Sequence, residues 1–347
     1  MIKKLIHFIF VLFLLALVVG VPSAWMIRRS YNDPEVHYFY LKTDRFSADA
    51  QAEGTEAADA GKTDPADTEK AVEEETEADA AGADRDGTTS LRFVVLSDLY
   101  GYVFEGGNGV IADLVTNTFP DAILIDGNLI DGDAEGITQT TDLIKRLAKI
   151  APVYYSYGDE ELKYVKRHSA ADTEDKAADP LREELKKAGA TVLNGEYKDV
   201  QLYGVSVRLG GMNGKAYELT NLYGDVKRKG RNNWELLNRF QKTDRLKIMM
   251  SNRTDDFLLG DACDTWQIDT IVSGNELGGL VVLPYYGGVF SSSQGYFPGY
   301  IHGMYKKGNC NLLITSGLSA PAGRIPRFNN PPEIAVLDID GLERASK

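Results

Sequence analysis

The chain has 347 residues, 43% of them hydrophobic and 10% aromatic, and a formal net charge of −13. That length and apolar content suffice for a large packed core, which excludes disorder as the whole description. The sequence carries no clustered face of Lys and Arg, which excludes the electrostatics that nucleic-acid binding requires.

The first element is MIKKLIHFIFVLFLLALVVGVPSAWMIRRS, apolar without a break from Leu5 to Val21 and more weakly on to Ile27. At roughly 1.5 Å per residue, a helix from Leu5 to Ile27 reaches across a hydrocarbon core of about 30 Å. Residues 1–30 are therefore expected to form a signal anchor, a single transmembrane helix. A cleaved signal peptide is the rival reading, with Lys3 and Lys4 as its basic start and Ser23 and Ala24 near a cut that Pro22 makes poor. Lys3 and Lys4 favour a cytoplasmic N-terminus, whereas Arg28 and Arg29 pull the other way. The long acidic stretch that follows tips the expectation toward a single-pass cell-membrane protein with an extracytoplasmic domain.

Residues 31–90 read as a juxtamembrane segment followed by an acidic linker. Between Ala50 and Gly87 there are thirteen Asp or Glu against three Lys or Arg, so this stretch carries −10 of the −13. It has no apolar face to bury, and the expectation is a disordered tether extended by self-repulsion.

Residues 91–347 read as one α/β domain. LRFVVLSD, DAILIDGN, VYYSYGD, RLKIMMSN, DTIVSGN, NLLITSG and EIAVLDI are short apolar runs bounded by Gly, Asn, Asp or Ser, the pattern of buried strands. TTDLIKRLAKI, LREELKKAG and WELLNRFQ carry apolar residues at helical spacing. KDVQLYGVSVRLGG predicts a hairpin turned at Tyr203 and Gly204. Cys263 and Cys310 fit either one disulfide or two buried small hydrophobes, and without a CxxC spacing they do not suggest a zinc ribbon.

In α/β sheets chemistry gathers where strands end. The runs through Asp98, Asn128, Asp159, Asn252 and Asn275 each stop at a short polar side chain beside Gly or Ser. Either these ends converge on one site or they are simply favoured turn residues.

Read in order, the ends resemble the motif series of membrane-anchored calcineurin-like metallophosphoesterases: D-x-H, G-D, G-N-H-E, S-H-x-P-D and G-H-x-H-G-G. Here the same places read SDLYG (97–101), IDGNLID (125–131), YGDEE (157–161), SNRTD (251–255) and SGNELGG (273–279). The tail LPYYGGVFSSSQGYFPGYIHGMYKKGN and GRIPRFNNPPEIAVL resembles the closing loops of that family. The resemblance spans Leu91 to Asp340. It implies a four-layer αββα fold, two packed β-sheets flanked by helices, preceded here by the N-terminal transmembrane helix.

It also implies metal-ligand positions at Asp98, Tyr100, Asn128, Asp159, Asn252, Asn275 and Leu277, with Glu160 where the family has its catalytic His. Of these only Asp98 keeps the family's residue. The neutral amide of Asn128 is a poor substitute for a bridging carboxylate, Leu277 has no lone pair, and Tyr100 could ligate only as a phenolate. The expectation is therefore a pseudoenzyme with no cofactor, acting as a scaffold or ligand-binding domain. The alternative is an active phosphoesterase with an oxygen-rich site for a single Mg²⁺, Ca²⁺ or Mn²⁺. Aromatic residues near the motif loops, among them Tyr100, Tyr102, Phe104, Tyr285, Tyr286 and Tyr296, suggest an envelope glycan, lipid or protein partner or else simple packing. His7, His37, His168 and His302 lie outside the motifs and are expected to be membrane, surface or loop histidines.

Overall fold

The computed structural model of the protein describes residues 16–43, 88–169, 179–212, 231–323 and 325–343, together with positions 4, 7, 10, 13 and 14. A π-helical turn at Ala16–Gly20 leads into the helix Val21–Asn32, which carries Pro22 in its first turn. Among the described residues no helix is long and apolar enough to cross a membrane. The acidic stretch Ala50–Gly87 lies outside the described residues.

In chain order the strands are β1 (Glu35–Lys42), β2 (Thr88–Leu96), β3 (Ala122–Asp126), β4 (Val153–Ser156), β5 (Ala190–Val192), β6 (Glu196–Leu202), β7 (Val205–Gly211) and β8 (Leu246–Met250). They continue as β9 (Thr270–Ser273), the short ribbons β10 (Val282–Leu283) with β11 (Gly287–Gly288) and β12 (Phe290–Ser291) with β13 (Gly295–Tyr296), then β14 (Gly303–Lys307), β15 (Cys310–Ile314) and β16 (Glu333–Glu343). One six-stranded sheet has the order β1-β16-β2-β3-β4-β5 and the other β14-β15-β9-β8-β7-β6. In each sheet four consecutive strands run parallel, β2 to β5 in the first and β15-β9-β8-β7 in the second. The parallel strands are linked by helices, except that the two short ribbons and β14 connect β9 to β15.

Strand alternation sorts the apolar residues into layers. On β2, Leu91, Phe93 and Val95 enter the core between the two sheets, while Val94 and Leu96 face the outer helices of the first sheet. On β8, Leu246, Ile248 and Met250 meet that same inter-sheet core, and Met249 turns outward to Leu236, Leu237 and Phe240 of the helix Arg231–Phe240. The helices Gly109–Thr118, Thr138–Leu147 and Pro180–Ala188 cover the first sheet with Ile111, Val115, Leu143, Leu147, Leu181 and Leu185. The expected αββα layering is present. The expected hairpin is β6–β7, with Leu202 paired to Val205 and with Tyr203 and Gly204 at φ 48° and 88°, the left-handed pair that a tight two-residue turn needs. Cys263 and Cys310 are buried free thiols, so the single disulfide left open by the sequence is not formed.

The segment expected to be merely juxtamembrane instead contributes β1, which pairs in parallel with β16 from Glu35↔Glu333 to Lys42↔Asp340. On the other side of β16, Glu343 pairs with Thr88 of β2. The chain therefore leaves the sheet at Lys42 and returns at Thr88 beside the same end of β16. The acidic stretch therefore connects two strands of one sheet, and its own residues lie outside those described.

The helix Val21–Asn32 is docked as well. Ser30 Oγ accepts the backbone N–H of Asn330 at 3.0 Å, and Tyr31 Oη accepts that of Arg327 at 3.0 Å. The Tyr31 ring lies 5.8 Å from that of Tyr102.

Candidate functional site

The carboxyl ends of β2, β3, β8 and β9 bring Asp98, Asn128, Asn252 and Asn275 together, as the strand-end pattern predicts. Asp98, Asn128, Asn275, Tyr100 and Leu277 have φ of 56°, 53°, 63°, 51° and 52°. Asn and Asp tolerate this left-handed region, whereas Tyr and Leu adopt it only against a steric cost. Tyr100 and Leu277 thus share the left-handed backbone of Asp98, Asn128 and Asn275. Close approach accompanies that backbone: a Cβ at Gly274 would fall 2.2 Å from Asp98 Oδ2, and one at Gly158 would fall 2.4 Å from Asn128 Oδ1.

The orientation of the two central amides is fixed by backbone partners. Asn128 Oδ1 accepts the Glu160 N–H at 3.1 Å, so its Nδ2 must face inward. There Nδ2 donates to Asp98 Oδ1 at 3.0 Å and to Asn252 Oδ1 at 2.8 Å. Asn252 Nδ2 donates to the Asp126 carbonyl at 2.7 Å, which leaves Asn252 Oδ1 to meet Asn128. Tyr100 Oη donates to Asp98 Oδ1 at 3.3 Å, while Asp98 Oδ2 accepts the Ser97 hydroxyl at 2.8 Å and the Asn275 N–H at 2.7 Å. Both carboxylate oxygens of Asp98 are therefore ringed by donors.

Charge is sparse and deeply placed. Burial pushes Asp98 up from its ordinary carboxylate pKa, opposed by the donors from Asn275, Asn128, Ser97 and Asn252. Asp126 is pushed well above the ordinary range, by burial first and then by the charge of Asp98. Its Oδ2 accepts the Gly274 N–H at 2.9 Å, and its Oδ1 is buried without a partner. Of this carboxyl pair, Asp126 is the member pushed further up. Burial also raises the Tyr100 phenol well above its usual value, with Asp98 adding to the effect, so the phenolate that a metal would need is disfavoured. Nearby, burial lowers the guanidinium of Arg327 to about 10 against the support of Glu333 and Asp98. Arg327 gives its N–H groups to the carbonyls of Ser316, Ser319, Asn330 and Pro331.

The remaining expected positions are held elsewhere. Asp159 pairs with Arg253 at 2.9 Å, and Glu160 accepts the Gly132 N–H at 2.9 Å with Lys163 3.7 Å away. Neither makes a hydrogen bond to Asp98 among the described residues. Sequence reasoning missed Glu161, which lies wholly buried. Its carboxylate accepts the N–H groups of Asn128, Leu129 and Gly158 at 2.7, 2.9 and 2.8 Å and the Tyr155 hydroxyl at 2.7 Å, stapling the second and third motif loops together. The available signal was its place three residues after Gly158, where a Glu side chain can accept the N-cap N–H at the start of the helix Asp159–His168.

A cleft of about 440 Å³ opens beside the network, lined by Tyr100, Asn275, Leu277, Phe290, Ser292 and Ile325. A larger hollow of about 500 Å³ lies far from these residues, around Leu41, Gln267 and Asn309, and holds none of the motif side chains. Phe104 is core, whereas Tyr285, Tyr286, Tyr296 and Phe297 are exposed. His37 and His302, expected to be unremarkable loop histidines, converge on the buried carboxylate of Glu333.

Two divalent cations do not fit this donor set. A bridging ligand must offer lone pairs to both ions. Position 128 presents N–H groups instead, and these occupy Asp98 Oδ1. The chain matches no protein-family model and no curated protein. Among solved structures it is similar to phosphopantetheinyl hydrolase from Mycobacterium tuberculosis, at 11% identity and TM-score 0.40 over 65% of this chain and 88% of that one. It is similar to the calcineurin-like phosphoesterase YfkN from Bacillus subtilis, at 12% identity and TM-score 0.40 over 73% and 85% of the two chains. A third is GAP50, the anchor in the inner membrane complex of Plasmodium, at 10% identity and TM-score 0.41 over 72% and 81%. The two six-stranded sheets and the motif loops at the strand ends are the arrangement that the resemblance to calcineurin-like metallophosphoesterases implies.

Proposed function

We propose that the protein is a membrane-tethered relative of the calcineurin-like phosphoesterases that has given up hydrolysis and serves as a scaffold or ligand-binding protein at the cell envelope. The observation that carries this reading is the inward-facing amide of Asn128, which donates to Asp98 Oδ1 at 3.0 Å where the family needs a bridging carboxylate. Without that bridge, and with Asp98 surrounded by donors, the described residues of this cleft offer nothing to polarise a phosphate or to generate hydroxide at neutral pH. A hydrolase built on one hard cation needs several oxygens turned toward a common point. The salt bridge of Asp159 to Arg253 and the hydrogen bond of Glu160 to Gly132 weigh against it.

The cleft survives as a place to bind. Its lining mixes Tyr100, Phe290 and Ile325 with Asn275 and Ser292, and exposed rings at Tyr285, Tyr286, Tyr296 and Phe297 offer faces for a glycan or a lipid headgroup. Residues 1–30 supply the membrane anchor in this reading, with the domain on the extracytoplasmic side. Purified full-length protein with added Mn²⁺ is expected to leave a generic phosphodiester such as bis(p-nitrophenyl) phosphate untouched above the buffer rate. Turnover that Asp98→Ala abolishes would sink the reading. For the orientation, protease added outside intact cells is expected to cut the domain, and full protection would reverse the assignment.

A further inference from the structure

Glu333 opens β16 and is wholly buried. Its Oε1 lies 2.8 Å from His302 Nε2 and 3.2 Å from His37 Nδ1. The two imidazole rings stand edge to face with centroids 5.6 Å apart. One ligand atom from each of the three residues lies within 4.8 Å of the others. In a tetrahedral zinc site with bonds near 2.0–2.1 Å, neighbouring ligand atoms are about 3.3 Å apart, so each histidine nitrogen already stands near that spacing from Glu333 Oε1.

The groups behind the three side chains are also those a metal site needs. The other oxygen of Glu333, Oε2, accepts the hydroxyls of Thr315 and Ser316, each at 2.9 Å, and the Ser316 backbone N–H. His37 presents its second ring nitrogen, Nε2, to Glu35 Oε2 at 3.5 Å, and Glu35 is paired with Arg29. A carboxylate behind a ligating histidine, and hydrogen bonds behind a ligating carboxylate, fix ring orientation and raise ligand basicity. The His37 and His302 side chains keep 28% and 36% of their surface exposed, which leaves solvent a route to a fourth position.

We propose that His37, His302 and Glu333 form a binding site for one divalent transition metal of the zinc class, distinct from the ancestral cleft. Two imidazoles and one carboxylate suit zinc rather than magnesium or calcium. The three ligands come from β1, the loop entering β14 and the start of β16. The ion therefore ties the strand that follows the docked N-terminal helix to both sheets at once. The strand end Thr315–Gly317 separates this site from the old one: Ser316 holds Glu333, and a Cβ at Gly317 would lie 2.8 Å from Asp98 Cβ.

The same trio also makes sense as a buried carboxylate neutralised by two histidines, and metal binding separates the two cases. Full-length protein in detergent, stripped of metal, is titrated with ZnCl₂ by calorimetry and with CoCl₂ by visible absorption. The expected result is one ion per chain, the intense d–d bands of tetrahedral Co²⁺, and a rise in melting temperature. His302→Ala and His37→Ala each weaken zinc binding by roughly 100-fold or more, and Glu35→Gln weakens it by about 10-fold. His302→Gln and His37→Gln, compared by melting temperature without metal, cover the case in which an alanine variant does not fold. No uptake by the native chain, or uptake unchanged in the His37→Gln/His302→Gln double variant, overturns the proposal while leaving the reading of the cleft intact. Uptake lost in Asp98→Asn but kept in His302→Gln overturns both.

Discussion

Replacing a carboxylate by an amide at position 128 alters one atom and reverses the hydrogen-bond polarity around Asp98. The Glu160 N–H pins the amide oxygen, so the nitrogen has no alternative but to face inward. Asn128→Asp would therefore set a second carboxylate about 3 Å from Asp98 and near the buried Asp126 and Glu161. Unfolding in urea at pH 7 should show a loss on the order of 3 kcal/mol, little restored by Mn²⁺, and a smaller loss at acidic pH where the new carboxyl is neutral. A stability deficit that does not shrink on acidification would contradict this account.

Asp126 carries a second test at the same scale. A carboxyl whose pKa is raised on folding contributes stability that is complete below its unfolded pKa and is lost as pH climbs toward the folded value. Asn at position 126 has no proton to lose. The melting temperature of Asp126→Asn relative to the native protein should thus move in the variant's favour as pH rises above the ordinary carboxylate range. The cluster of Asp98, Asn128, Asn252 and Asn275 was legible as strand ends. The roles of Asp126, Glu161, Arg327 and Glu333 were not, because a buried charge is recognised by what surrounds it, and its partners lie in distant parts of the chain.

Among the elements, β1 is the most informative. Its apolar residues alternate faces: Val36 and Tyr38 pack toward the helices of the first sheet, and Phe39 and Leu41 toward the inter-sheet core. The alternation was present in EVHYFYLK, yet a strand isolated from its sheet by a long acidic stretch offers no hint of its partner. The central strands were legible because fully buried parallel strands are continuous apolar runs, and the helices Thr138–Leu147, Pro180–Ala188 and Arg231–Phe240 because their periodicity is strong. Removing residues 1–43 would bare the edge of β16 and take His37 from Glu333. An unpaired edge of this length invites association. The chain begun at residue 88 should melt lower and show dimers or larger species by light scattering, while a chain begun at residue 33 should not. Equal melting and a monomeric profile for both would count against a structural role for β1.

For the whole molecule, the insertion between β1 and β2 decides how charge and chain length are distributed. The exit at Lys42 and the return at Thr88 lie on strands flanking β16, about 10 Å apart across the sheet at ordinary strand spacing and three residues apart along β16. A Gly/Ser loop of about five residues spans that gap, and shortening the closed loop through roughly three halvings should stabilise the fold by about 2 kcal/mol. Denaturant titration of a chain with residues 44–87 so replaced tests it directly. A less stable product would mean that the acidic segment contributes contacts of its own.

Only Asp33 and Pro34 separate the docked helix Val21–Asn32 from β1. A pull on the N-terminal helix would therefore be resisted by β1 sliding along β16, with the eight register pairs from Glu35 to Lys42 loaded together in shear rather than unzipped one by one. Scission within the acidic insertion would not release the domain either, because the fragment before the cut would stay held by its strand as a non-covalent part of the sheet.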